Sequence, residues 1–396
     1  MNHIIKTTLL SAAACLAALT LSAQGGNAGF GGDETAGPSL ADRVLRLEKQ
    51  QERLNIFLNF SGSYQLANET GEPWQSAFRA KYLRLELKGR LGDHLFYRLR
   101  HRLNESNART AADYFSKATD IMMVGWQFNE KWSLMGGKLV QAWGGFDYDE
   151  NPLYIYQYPV LLSHMEIFFA GAALSWKPVP QHEFVLNVTN PYNHGFTQEY
   201  GEGAMTMGSP ATARLIEPAN HPLSYIFNWN GNLFDGLIQT RWGAGVTNQA
   251  KGYQQKMVFA GQKLTLPKFQ VYVDYLYSFD GLDRFRIATE DLAPGGLYCT
   301  DVQYHTLIGK ANWQFAPGFN LMGKLMGETV HTPGEGYYRT SLGYIAALEY
   351  YPDPAEDFRI FLAYIGRDDH YKTVVNNPVS HVNRIELGLI YRMKLL

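Results

Sequence analysis

Six basic residues recur at alternate positions along two neighbouring stretches: Arg84, Lys88 and Arg90 in the first, Arg98, Arg100 and Arg102 in the second. Period two places them on one face of a pair of strands, and a row of guanidinium and ammonium groups on a wall draws anions. Near the carboxyl end Arg384, Arg392 and Lys394 repeat the pattern. A second constellation mixes Trp143, Phe146 and Tyr148 with Asp147, Asp149 and Glu150. Rings need a surface to pack on, whereas carboxylates need water or cations, so this segment fits a loop folded inward against a wall with its acids near an aqueous path. Solvated loop charge is a second reading of the acids. A calcium site is a third, although the spacing lacks the full series of oxygen ligands. Catalysis finds no constellation of its own. His164, His194, His221, His331, His370 and His381 stand apart on different stretches, and there is no Gly-x-Ser-x-Gly or His-Glu-x-x-His. No catalytic residue, metal or cofactor is therefore expected.

The elements that carry these residues are strands. In 55–66, Ile56, Leu58, Phe60, Tyr64 and Leu66 alternate with Asn55, Asn59, Ser61, Ser63 and Gln65. Leu83, Leu85, Leu87 and Leu91 alternate with Arg84, Glu86, Lys88 and Arg90, and the last segment sets Ile385, Leu387, Leu389, Tyr391 and Met393 against Arg384, Glu386, Arg392 and Lys394. Such alternation gives each strand one apolar and one polar face. About sixteen segments of this kind begin near residues 54, 79, 94, 120, 132, 165, 182, 223, 236, 255, 268, 302, 319, 339, 357 and 383. Their connections alternate between short (92–93, 129–131, 177–181, 231–235, 265–267, 316–318, 352–356) and longer (67–77, 105–119, 141–164, 191–222, 249–254, 281–301, 331–338, 369–382). An even count with loops sorted by parity predicts a closed antiparallel transmembrane β-barrel, all-β, spanning 54–396, with its third long loop at 141–164. With a turn at 91–93, Glu86 falls beside Arg98 and Arg84 beside Arg100. The final strand then pairs with the first and carries the basic wall around the seam.

Composition agrees with such a wall. The chain has 396 residues, 14% aromatic and 18% charged, with Tyr 25, Phe 22 and Trp 8. Lys+Arg 35 against Asp+Glu 37 excludes the basic excess of a nucleic-acid binder and the charge imbalance of a disordered chain. Mean hydropathy of -0.25 excludes a bundle of apolar spanning helices. At the amino terminus Lys6, the apolar run 7–21 and Leu21-Ser22-Ala23 before Gln24 read as a secretory signal peptide cleaved after residue 23. An uncleaved anchor helix and a lipoprotein site at Cys15 are the other readings. Cleavage removes Lys6 and Cys15, which leaves the exported chain slightly acidic with Cys299 as its one thiol and no internal disulfide. A Gly-rich linker at 24–38 leads to a helix at 39–53, capped by Ser39, with Leu40, Val44, Leu47, Gln51 and Leu54 on one seam. Two heptads are too few to stand alone. This helix is either a periplasmic trimerising coiled coil or an amphipathic helix lying on its own domain.

The run Ala142-Trp143-Gly144-Gly145-Phe146-Asp147-Tyr148-Asp149-Glu150-Asn151-Pro152, followed by residues 153–159, lies between Gly136-Gly137-Lys138 and Asn187-Val188-Thr189-Asn190-Pro191-Tyr192. In this setting it resembles the phosphate-selective porin O and P family of Gram-negative outer membranes. The resemblance implies a homotrimeric diffusion channel whose third loop folds into the lumen, held in outer-membrane lipid and passing small hydrophilic solutes or anions, phosphate among them. The wall residues themselves point to a mild anion preference. An outer-membrane binding protein or adhesin working through 191–222 is the alternative, and a barrel enzyme a weaker one.

Overall fold

The computed structural model describes residues 53–208, 212–293, 295–353, 356–372 and 379–396. The signal peptide, the linker and all but Arg53 of the expected helix lie outside them. Eighteen strands are described: β1 (Asn55–Glu69), β2 (Gln75–Leu91), β3 (Leu95–Arg102), β4 (Thr119–Gln127), β5 (Trp132–Val140), β6 (Phe168–Val179), β7 (His182–Thr189), β8 (Met205–Thr206), β9 (Ser224–Leu233), β10 (Ile238–Ala250), β11 (Tyr253–Leu266), β12 (Phe269–Leu282), β13 (Leu297–Tyr298), β14 (Thr300–Ala316), β15 (Phe319–Thr332), β16 (Gly336–Tyr350), β17 (Phe358–Tyr371) and β18 (Val379–Lys394). All except β8 and β13 form one closed antiparallel barrel of sixteen strands, each paired to its neighbours in sequence, with β18 returning to β1. Closure satisfies every ladder and leaves no edge, which a sheet in lipid requires. The two short strands pair with each other in parallel and tie the long connection after β7 to the one after β12.

Burial along the strands is inverted relative to a water-soluble protein. The exposed residues include Val124, Leu134, Leu186, Phe227, Leu325, Leu362 and Leu387, whereas Arg84, Glu86, Lys88, Asn187, Asp274 and Glu349 are buried. An apolar outer face and a polar inner one are what alternating residues give when lipid lies outside. Aromatic pairs such as Trp132–Trp176, with ring centroids 5.7 Å apart, and Phe319–Tyr350, at 4.8 Å, sit at the turn ends of their strands. Amphipathic rings favour the level where hydrocarbon meets water.

Two expectations need correction. Connections do not sort by length at every position, because β10 and β11 are joined through 251–252 and β15 and β16 through 333–335, within the range of the turns on the other side. Strands here extend beyond the segments that alternate cleanly, so the extra length sits only in the connections after β3, β5, β7 and β12. The second correction concerns register. Leu91 pairs Leu95, which moves the turn to 92–94, and Gly92 supplies the left-handed φ of 65° with which it begins. Arg84 therefore faces Arg102, Glu86 faces Arg100 and Lys88 faces Arg98, each one pairing step away from the expected partners.

Candidate functional site

The basic wall is built by β2, β3 and β4. Two of its direct oppositions join like charges, an arrangement that costs stability unless a counter-charge intervenes. That counter-charge is Asp120. Arg100 pairs Ile121 and His101 pairs Thr119, so Asp120 is the extra residue of a β-bulge, a device that re-aims a side chain. Its carboxylate lies 3.3 Å from the Nε of Arg84, 3.3 Å from that of Arg100 and 2.7 Å from that of Arg102. Three guanidinium groups thus share one carboxylate. Glu86 meets Arg98 at 2.6 Å on the diagonal rather than through direct opposition. Lys88 is fully buried with its ammonium 5.0 Å from the Phe57 ring, and Arg90 donates to Gln127 at 2.8 Å.

The carboxyl-terminal basic residues separate into two levels. Arg392 stacks 4.0 Å from the Phe57 ring with its Nε 3.9 Å from Glu86, and Lys394 lies opposite Phe57, so both extend the wall across the seam at its turn-side end. Arg384 sits further out, paired with Glu386 at 2.5 Å.

The segment 141–167 leaves β5 and runs through the inside of the barrel. Gly144 and Gly145 take φ of 90° and 78° and turn it away from the wall. It then packs against glycines of β10 and β11: a Cβ on Gly243 would lie 1.8 Å from the Trp143 carbonyl oxygen, and one on Gly261 would lie 3.0 Å from Gly145 Cα. Trp143 stacks on Phe259 and donates through its indole to Gln141 at 3.0 Å. Asp274 accepts the backbone N–H of both Phe146 and Asp147 at 2.7 Å, fixing the helical turn Phe146–Asp149. Further along, Glu328 accepts from Val160 and Leu161 at 2.6 and 2.9 Å, and Tyr156 donates to Glu349 at 2.6 Å.

Each of the three acids has its own cation on the far wall. Asp147, wholly buried, meets Lys324 at 2.6 Å and accepts from Tyr272 at 2.9 Å. Asp149 meets Arg241 at 3.1 Å, and Glu150 meets Lys310 at 2.5 Å. The three acids therefore do not all turn toward the basic wall. Asp147 is turned away, while Asp149 and Glu150 line a cavity of about 100 Å³ together with Arg98, Arg100 and Arg241. Above it lies a cavity of about 440 Å³ lined by Arg84, Arg102 and Asp120. The two share Tyr148, Pro152, Ile167 and Phe168 in their linings.

The residues that pin the loop, Arg241, Asp274, Lys310, Lys324, Glu328 and Glu349, escape the sequence reading. Each is an inward charge whose partner stands from 92 to 193 positions away in the chain, so nothing in its own strand points to the loop. One local signal was present: Gly243-Ala244-Gly245 thins a strand at alternate positions, as a close backbone approach demands. Among the described residues no group of three His, Cys, Asp or Glu side chains could hold a metal ion.

A profile of the phosphate-selective porin O and P family matches residues 54–393. No curated protein matches the chain. Among solved structures, the outer membrane channel DcaP of Acinetobacter baumannii aligns with a TM-score of 0.61 at 10% identity, covering 87% of this chain and 99% of that one. The anion-selective porin from Comamonas acidovorans aligns at 0.55 and 9% identity over 87% and 100%. The trimer form of in-vitro folded OmpT from Vibrio cholerae aligns at 0.55 and 8% identity over 87% and 100%. At such identities the structural likeness speaks for the barrel alone. The family match extends over the basic wall, the inward segment and the closing strand together, and by it this outer-membrane chain belongs to the phosphate-selective porin O and P family.

Proposed function

We propose that the protein is a passive diffusion channel for small hydrophilic solutes with a mild preference for anions, phosphate among them. It would be exported with a cleaved signal peptide and assembled as a homotrimer in the outer membrane of a Gram-negative bacterium. The observation that carries the preference is the sharing of Asp120 among Arg84, Arg100 and Arg102. The acids of the inward segment are matched one to one by Arg241, Lys310 and Lys324, whereas the opposite wall keeps a positive excess. An ion in the gap feels charges within a Debye length, about 8 Å at physiological salt, so local excess outweighs the slightly acidic total. The purified channel in a planar bilayer under a potassium chloride gradient will show a reversal potential of anion sign at low salt, fading as salt rises. A cation sign at low salt refutes the reading.

Trimer assembly rests on the apolar seam Leu40, Val44 and Leu47. Deleting residues 39–53 will slow or weaken trimer formation while the barrel still folds, since the barrel closes its own hydrogen bonds. Cross-linking of intact and shortened chains in detergent measures this. An intact chain that cross-links only as a monomer ends the idea.

A further inference from the structure

The cavity of about 440 Å³ has two unlike sides. Arg84, Arg102 and Asp120 line it from the barrel wall, while Tyr148, Tyr158, Leu162 and Met165 line it from the inward segment. Several hydrogen-bonding groups at its border have nothing to bond. Among them are the Tyr158 hydroxyl and Nη1 of Arg84, the latter on a residue only 3% exposed, and neither atom has a hydrogen-bond partner. The remainder of the Arg84 guanidinium is engaged, through its Nε with Asp120 at 3.3 Å and through its face with the Tyr82 ring at 4.3 Å. Burial holds the Tyr158 phenol well above the usual tyrosine range, so it stays a protonated donor. A buried donor left without an acceptor is costly, and a pair of them beside an open space of ligand size marks a place for one.

We propose that this cavity is a subsite for organic anions with a flat apolar body, of the class of aromatic monocarboxylates. The carboxylate takes the free edge of Arg84 and the Tyr158 hydroxyl, and the ring lies against Leu162, Met165 and Phe168. Bare phosphate suits this space less well. It is strongly hydrated and needs donors converging from several sides to replace its water, whereas the lysines of the lining, Lys117 and Lys138, are already paired with Glu105 and Asp113, and the inward segment adds Leu162 and Met165. Aromatic rings also accept a second ring at an offset or an edge without loss of water-exposed polar surface. The subsite rests on the anion-channel reading and adds a substrate class to it.

The test is block of chloride current through the intact channel in a planar bilayer, with sodium benzoate, sodium acetate or sodium phosphate added at matched ionic strength. Benzoate will halve the current at a concentration about tenfold or more below that of acetate or phosphate, because only benzoate buries a ring. Tyr158→Phe will raise the half-blocking concentration of both carboxylates severalfold. Met165→Ser will raise that of benzoate and leave acetate where it was. Heat-modifiable migration on gels verifies that each variant has a folded barrel. Equal block by all three anions, stronger block by phosphate, or benzoate block that neither variant changes overturns the subsite. The reversal potential in potassium chloride alone separates the two levels: anion sign with equal block defeats only the subsite, and cation sign defeats both readings.

Discussion

Replacing Arg84, Arg98 and Arg100 together with Gln will shift the reversal potential in a salt gradient toward cations, and the shift will be larger at 0.1 M than at 1 M salt, where the Debye length falls from about 10 to about 3 Å. In the native wall these three, with Arg102, face Asp120 and Glu86. After replacement Asp120 keeps Arg102 alone, and Glu86 keeps Arg392 at 3.9 Å together with the Lys88 next to it on the inner face of β2. Three positive charges are lost with little loss of volume, so conductance changes less than selectivity. Gln also retains donors for the two carboxylates, which limits the cost of leaving them buried. Unaltered selectivity in the triple variant would place the working charges elsewhere.

Excising residues 146–151 acts in the opposite direction. That stretch holds Asp147, Asp149 and Glu150 and the rings of Phe146 and Tyr148, which fill the barrel beside Tyr272 and Phe259. Its loss widens the path and uncovers Lys324, Lys310 and Arg241 on the far side. Single-channel conductance will rise, on the order of twofold, and anion preference will strengthen, since charged rings in a pore set its selectivity. A smaller lesion separates width from charge. Asp147→Ala leaves Lys324 buried beside an apolar methyl, and breaking one side of such a pair costs about 3–5 kcal/mol, enough to loosen the docking of the loop. Conductance in the excised variant equal to wild type would mean that the segment does not restrict flow.

The strands were legible because lipid on one side and water on the other impose period two. Every barrel strand begins within four residues of the place where alternation starts. Register was legible only up to the turn: Leu91 could have ended β2 or begun the connection, and the choice changes every opposed pair along the wall. Asp120 was missed because a bulge carries it inward out of phase with β4, so parity alone misassigns it. The aromatic and acidic composition of 143–150 predicted an inward loop, yet the identity of its cations depends on which wall the loop reaches. That is fixed by contacts between strands far apart in the chain, and only Gly243 and Gly245 hinted at it.

The inward loop also bears on how the barrel is sealed. Chain continuity is broken at one place on its circumference, between β18 and β1, where ladder bonds and a few side-chain contacts hold the first and last barrel strands together. Lys81 on β2 donates to the carbonyls of Ile155 and Tyr156, and Arg384 on β18 reaches the same Tyr156 carbonyl at 3.4 Å. One short piece of loop is thus gripped from both sides of the break. It acts as a clasp across the seam, engaged from within, and it ties seam closure to loop placement.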